Sequence, residues 1–165
     1  QMCIRDRSIL VENHAGVLAR VAGLFARRGF NIDSLAVGVT EDEKISRITI
    51  IADGTAYTLE QIEKQLNKLI DVIKVRHLPA EELLSRELVL IKVACQPSQR
   101  AELISLAEIA KAKISDITVN TMTLELSDSV PRIKTFEELL RPYGIKETVR
   151  TGSIAMQKGG ASMKL

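Results

Sequence analysis

Two hydrophobic rhythms alternate along the chain, and the order in which they follow one another occurs twice. Ser8-Ile9-Leu10-Val11 is a short apolar run that reads as a strand, closed by the turn-prone Glu12-Asn13-His14-Ala15-Gly16. Val17, Leu18, Val21, Leu24 and Phe25 then fall at offsets 0, 1, 4, 7 and 8, one face of an α-helix, with Arg20, Arg27 and Arg28 turned away from it. Gly29 follows the basic last turn and supplies a helix stop. Leu35, Val37 and Val39 alternate, as do Ile48, Ile50 and Ala52, on either side of a polar segment from Thr40 to Lys44, which predicts a β-hairpin. A second helix carries Leu59, Ile62, Leu66, Leu69 and Ile70 on one face, and the run from Val72 to Leu78 is a fourth strand. The order is β-α-β-β-α-β, the ferredoxin-like arrangement.

Pro79 to Ser85 reads as a linker with room for a helical turn, after which the same order begins again. Leu88 to Cys95 is a strand, and Pro97 suits the first turn of a helix that carries Leu103, Ile104, Leu106, Ala107 and Ala110. Strands follow at Ile114 to Val119 and Met122 to Leu126, then a helix marked by Val130, Ile133, Phe136, Leu139 and Leu140. One long strand from Ile145 to Met156 closes the pattern. The expected fold class is α+β, with two tandem ferredoxin-like βαββαβ modules at 8–78 and 86–159 joined by a linker at 79–85. Each module is marginal alone, because a domain of ~60 residues buries only ~60% of its unfolded surface. Association through sheet edges or helices would relieve that, so at least a dimer is expected.

Composition narrows the function more than the fold. Of 165 residues, 45% are hydrophobic and 27% charged, which suits packed cores, and 3% aromatics with no Trp make those cores aliphatic. A net charge of +2 gives no electrostatic argument for nucleic acid, membrane or acidic partners. Cys3 and Cys95 make neither a disulfide framework nor a metal-ligand spacing, which points to a reduced, cytoplasmic setting. No apolar run approaches the ~18–20 residues that cross a bilayer, and no signal peptide is visible. Gln1 to Arg7 show neither strand alternation nor helical period and read as a fragment or foreign sequence. The tail beyond Gly159-Gly160 reads as disordered.

The informative constellation is Asn13-His14-Ala15-Gly16-Val17-Leu18, where the first strand gives way to the first helix. A helix start leaves main-chain N–H groups without helical partners and carries a partial positive charge. A glycine there lets a ligand approach the backbone, because no Cβ stands in the way. These features make a seat for a carboxylate. Asn13 and Asn31 offer neutral polar groups, and Val17, Leu18 and Ile32 favour a branched apolar side chain, so the pocket fits a free α-amino acid. Asn and Gly at such a turn are also ordinary capping chemistry, which is the bland alternative. The second module has Gln96-Pro97-Ser98-Gln99 at the equivalent place, so the fold alone does not demand Gly16.

At these residues a resemblance becomes specific. Asn13-x-x-Gly16-x-Leu18 ahead of an amphipathic helix resembles the signature of ACT domains, which sense amino acids. The run from Val11 through Asn13, Gly16, Phe25 and Asn31 to Leu35 closely resembles the small subunit of acetolactate synthase. Ser46 to Ile50, Glu60 to Val72, Arg86 to Lys92 and Arg150-Thr151-Gly152 are similar too, so the likeness covers about Ser8 to Gly159. The resemblance implies an N-terminal ACT domain and a C-terminal ferredoxin-like domain of the family's own type. It also implies a non-catalytic regulatory subunit that activates a separate large, catalytic subunit and confers feedback inhibition by valine, with isoleucine or leucine as other effectors. By the same resemblance the valine lies at an ACT homodimer interface, with Asn13, Gly16, Val17 and Leu18 of one chain against Asn31 and Ile32 of its partner. Thiamine diphosphate, magnesium and FAD would belong to the catalytic subunit, and this chain would carry no cofactor. The family usually supplies a longer first strand, so a foreign Gln1–Arg7 would leave the strand beside the site frayed.

Other readings are weaker. His14 and His77 have no Cys/His or Glu-x-x-His companion, so spacing gives no metal site and no general base. Glu60, Glu63, Glu81 and Glu82 fall on faces expected to be solvated, as do Arg20, Arg27, Arg28, Lys111 and Lys113. No nucleophile elbow, phosphate loop or dinucleotide fingerprint is present. An ACT-type sensor attached to a transcription system would need a DNA-reading helix. An RNA-binding module would need aromatics on its central strands. A small enzyme of the acylphosphatase kind would turn over by itself.

Overall fold

The structure, a computed structural model, describes residues 5–52 and 55–163 and falls into two compact units. The first is built from the described residues up to Leu84 together with those from Ser153 onward, and the second spans Ser85–Gly152.

In the first unit, β1 (Arg5–Glu12), β2 (Ile32–Val39), β3 (Ile45–Ala52) and β4 (Val72–Leu78) form an antiparallel sheet in the order β2-β3-β1-β4. Helices α1 (Val17–Arg27) and α2 (Ala56–Leu66) cross between strands. The period of two on the strands and the helical stripe meet in one core: Ile9 and Val11 of β1, and Ile48, Ile50 and Ala52 of β3, pack with Val17, Val21 and Phe25 of α1 and Leu59, Ile62 and Leu66 of α2. Each such aliphatic or aromatic side chain contributes about 1.5–3 kcal/mol by leaving water. Thr55 caps α2 by accepting from the Thr58 amide, a contact of the kind that stabilises a helix by about 1 kcal/mol.

The start of β1, the end of α2 and the exposure of β2 differ from the sequence pattern. The first strand begins at Arg5 rather than Ser8, with Arg5, Asp6 and Arg7 opposite Ala52, Ile51 and Ile50, while residues 1–4 lie outside the described region. Arg7 hid this start, because a buried arginine breaks the apolar alternation; its side chain lies 3.5 Å from Glu63 on α2. Glu63, expected to be solvated, is therefore part of an ion pair. Helix α2 stops at Leu66, so Leu69 and Ile70 belong to the turn after it, and Ile70 is 95% exposed. Val37 and Val39 are exposed even though they alternate, since β2 is the sheet's edge strand.

The long closing strand is two strands, β8 (Ile145–Arg150) and β9 (Ile154–Gln157). Between them Gly152 adopts φ +83°, a left-handed conformation that ends an extended run and redirects the chain. The segment from Ser153 then lies on the first sheet's other face. The Ser153 amide donates to Ser34 Oγ at 2.8 Å, and Arg47 donates from Nε to Ser8 Oγ and from Nη2 to the Ala155 carbonyl, both at 2.7 Å. Burial, with Arg76 nearby, lowers the pKa of the Arg47 guanidinium. The tail expected to be disordered is held as far as Ser162, whose carbonyl accepts from Arg76 Nη1 at 3.3 Å. Lys158 donates its amide to the Glu82 carbonyl at 2.7 Å.

The second unit repeats the plan with β5 (Leu83–Ala94, which starts in the first unit), α3 (Arg100–Ala110), β6 (Lys113–Ile117), β7 (Thr121–Asp128), α4 (Val130–Leu140) and β8, in the strand order β6-β7-β5-β8. The linker region holds one 3-10 turn, Ala80–Glu82, and β5 starts five residues before the expected Leu88. Val89, Ile91 and Val93 pack with Met122, Leu124 and Leu126, and with Leu103, Ala107, Ile133, Phe136 and Leu140 of the two helices. The fold is thus the expected pair of ferredoxin-like βαββαβ modules.

Candidate ligand site at the start of the first helix

Main-chain bonds fix the crossing from β1 to α1. Glu12 donates its amide to the Asp71 carbonyl at 2.9 Å, and Asn13 donates to the Lys44 carbonyl at 2.8 Å. The Asn13 side-chain amide donates to the Glu43 carbonyl at 2.8 Å, so Asn13 is anchored to the β2–β3 turn. Gly16 occupies the N-cap of α1 at φ +86°, a conformation that β-carbon residues rarely adopt. It has no side chain with which to cap the first amides of the helix, whose first regular bond runs from Arg20 N to Gly16 O at 3.1 Å.

Arg20 lies over this opening. A Cβ placed on Gly16 would come within 3.0 Å of Arg20 Nη1, while Nε and Nη2 donate to Asp71 Oδ2 at 2.7 and 2.6 Å. The helix start therefore combines a main-chain amide row, the positive end of the helix dipole and a guanidinium oriented by a carboxylate. Such a combination has the chemistry to accept an anion. His14 stands beside it, its Nε2 2.9 Å from Asp71 Oδ1 and 3.2 Å from Glu12 Oε2. The imidazole pKa is raised, first through the Ala15 carbonyl that accepts from the ring and then through the charges of Asp71 and Glu12, against some loss of hydration.

Of the residues singled out in the sequence, Asn13, Gly16, Val17 and Leu18 share this end of the sheet. Val17 is buried in the core, so it offers a ligand its main-chain amide and not its side chain. Leu18 is 42% exposed and presents an apolar side chain beside the opening. Asn31 is exposed and donates to Asp33 Oδ1 at 2.6 Å, and Ile32 is half-buried against the core. These two sit elsewhere. Glu12 pairs with Ile45 at one end of β3, whereas Ile32 pairs with Ala52 at the other. Seven strand residues at ~3.3 Å each separate those ends by about 23 Å. One chain does not bring the two groups together.

An open depression of about 720 Å³ borders the site, lined by Glu12, Asn13, His14, Ile73 and the turn residues Asp42 to Ile45. Arg20 and Asp71 were not legible as site residues. Arg20 is four residues after Gly16, the spacing that stacks side chains along a helix, and that was the available signal. Nothing local points to Asp71, which is 51 residues from Arg20.

A ferredoxin-like module with a glycine-opened first helix defines the class. Residues 8–74 match the family described as the AHAS small subunit-like ACT domain, so the first module is an ACT domain. Residues 86–159 match the family described as the small subunit of acetolactate synthase. The chain is 48% identical to a probable acetolactate synthase small subunit of Archaeoglobus fulgidus, over 92% of this chain and 95% of that one. It is 50% identical to the corresponding protein of Methanothermobacter thermautotrophicus, over 94% of each. The crystal structure of the acetolactate synthase small subunit from Thermotoga maritima superposes with a TM-score of 0.89 at 38% identity, covering 96% of this chain and 99% of that one. The chain belongs to the family of acetolactate synthase small subunits.

Proposed function

We propose that this chain is the regulatory subunit of an acetolactate synthase, activating a separate catalytic subunit and mediating its feedback inhibition by valine. Family membership supports the subunit role. The single observation that carries the valine site is the amide row at Gly16 with the Arg20 guanidinium above it. On this reading the acid group of valine is accepted by the first-turn amides and Arg20, and its branched side chain rests against Leu18. Asn13 supplies a polar contact from the same chain. Asn31 and Ile32 come from the partner of a homodimer formed through the ACT domains, because strand register puts them at the opposite end of the sheet from the Glu12–Gly16 crossing in one chain. Thiamine diphosphate, magnesium and FAD reside on the catalytic subunit, in a cytoplasmic assembly. Among the described residues no helix is long and apolar enough to cross a membrane.

Inhibition requires valine to favour one arrangement of the subunits by about 1–3 kcal/mol. The test mixes the purified chain with an acetolactate synthase catalytic subunit and measures acetolactate formation with and without valine. The native chain raises activity and valine lowers it again. Gly16→Asp puts a carboxylate beside Arg20 where the ligand's acid group would go, so it abolishes inhibition and leaves activation intact. Inhibition that survives this substitution places the effector elsewhere.

A further inference from the structure

Beside the amide row, Glu12, His14 and Asp71 converge from the end of β1, the turn after it and the residue before β4. Glu12 Oε2, His14 Nε2 and Asp71 Oδ1 all lie within 4.8 Å of one another, with Nε2 3.2 Å from the glutamate oxygen and 2.9 Å from the aspartate oxygen. The other ring nitrogen, Nδ1, is 3.2 Å from the Ala15 carbonyl oxygen, which can only accept. Nδ1 therefore carries a hydrogen, and the ring is held with Nε2 facing two carboxylate oxygens. Three electron-rich atoms at this spacing repel one another unless something positive sits among them. Nε2 must hold a proton or share its lone pair with a cation.

The supporting contacts are those of metal ligands. Asp71 Oδ2 accepts from Arg20 Nε and Nη2, which leaves Oδ1 aimed at His14. The imidazole is oriented by a main-chain carbonyl through its far nitrogen, as ligating histidines usually are. Main-chain bonds from Glu12 N to Asp71 O and from His14 N to Glu12 O tie the three segments together. Separations near 3 Å suit atoms that share a small ion at ~2.0–2.2 Å, and an imidazole among the ligands selects zinc-class ions over magnesium or calcium. Glu12 and His14 also line the open depression, from which water would complete the coordination.

We propose that Glu12, His14 and Asp71 are the protein ligands of a divalent transition-metal site of the zinc class at the entry to α1. The proposal is independent of the valine reading, although the two sites share Arg20. The experiment uses the full chain, stripped with EDTA and dialysed, titrated calorimetrically with zinc chloride and separately with magnesium chloride, without any amino acid. Zinc binds at one equivalent per chain and raises the melting temperature, while magnesium does neither. His14→Gln and Glu12→Gln each weaken zinc binding by more than ~10-fold. Metal-free His14→Gln melts with the native chain, since the side chain is half exposed, and its melting temperature no longer responds to zinc. Cys3→Ser and His77→Gln leave zinc binding unchanged. The proposal is overturned if the native chain binds no zinc, if His14→Gln binds it as tightly, or if magnesium binds equally well. Valine calorimetry in EDTA reads the other site separately, so either reading can fail without the other.

Discussion

The Arg20 guanidinium overhangs Gly16, its Nη1 3.0 Å from the point where a β-carbon would stand, and Asp71 holds it there from the far side. The glycine opens the amide row, and the arginine places a full positive charge beside it. Arg20→Gln keeps a polar chain of similar reach and removes the charge. It is expected to weaken valine binding by about 3- to 10-fold, near 1 kcal/mol for a half-exposed charge-assisted contact. Calorimetric titration of native and variant chains measures this. Equal affinity would remove Arg20 from the site.

The cores permit a sharper forecast about stability. Phe25 is 1% exposed among Val17, Val21, Ile48 and Leu59 of the first core, and Phe136 is 2% exposed in the second. With few aromatics in the chain, each large ring fills space that aliphatic neighbours cannot reclaim. Phe25→Ala and Phe136→Ala should each cost about 3–5 kcal/mol. Urea unfolding followed by circular dichroism at fixed chain concentration gives the loss directly, and a cost below about 1 kcal/mol would mean the core relaxes around the gap.

How much of this was legible follows from what each residue type reports. The helices and most strands were read from periodicity because Val17, Val21, Phe25, Ile48 and Ile50 carry their burial in their chemistry. Arg7 is buried with a polar side chain, so the start of β1 was missed, and Ile70 is exposed with an apolar one, so α2 was overrun. Gly152 ends β8 through a backbone angle that hydrophobic patterning does not register. At the proposed ligand site Gly16 stands out in the sequence because the absence of a side chain is itself the signal. The Arg20–Asp71 and His14–Asp71 contacts depend on the turn before β4 returning to the helix start, and no local spacing encodes that.

Tyr143 supplies a pH-dependent prediction in the second unit. Its hydroxyl is hydrogen-bonded to Glu102, and with that carboxylate's charge and some burial the phenol pKa is pushed up to about 12 from an ordinary 10.0. A folded-state pKa above the unfolded value gives stability that is whole below pH 10 and lost as pH rises towards about 12. Absorbance at a phenolate wavelength should show one of the two tyrosines ionising late. Glu102→Gln removes the charge and should bring that ionisation earlier. An unchanged curve would mean that Glu102 does not govern Tyr143.

The strand register also forecasts how damaged chains behave when mixed. Gly16 follows the Glu12 end of β1, and Asn31 precedes the Ile32–Ala52 pair at the opposite end of the sheet. A ligand touching both must therefore be held by two chains. In the proposed ACT homodimer, Gly16→Asp chains paired with one another would have both helix starts blocked, and paired Asn31→Asp chains would have both opposing walls altered. Unfolding the two variants together and refolding them produces mixed dimers. In a mixed dimer one site combines both defects, and the other combines an intact Gly16 from one chain with an intact Asn31 from its partner. Valine binding should reappear in the mixture at no more than one site per mixed dimer, although neither variant binds alone. If the site were complete within a single chain, mixing would restore nothing, and calorimetry on the refolded mixture separates the two cases.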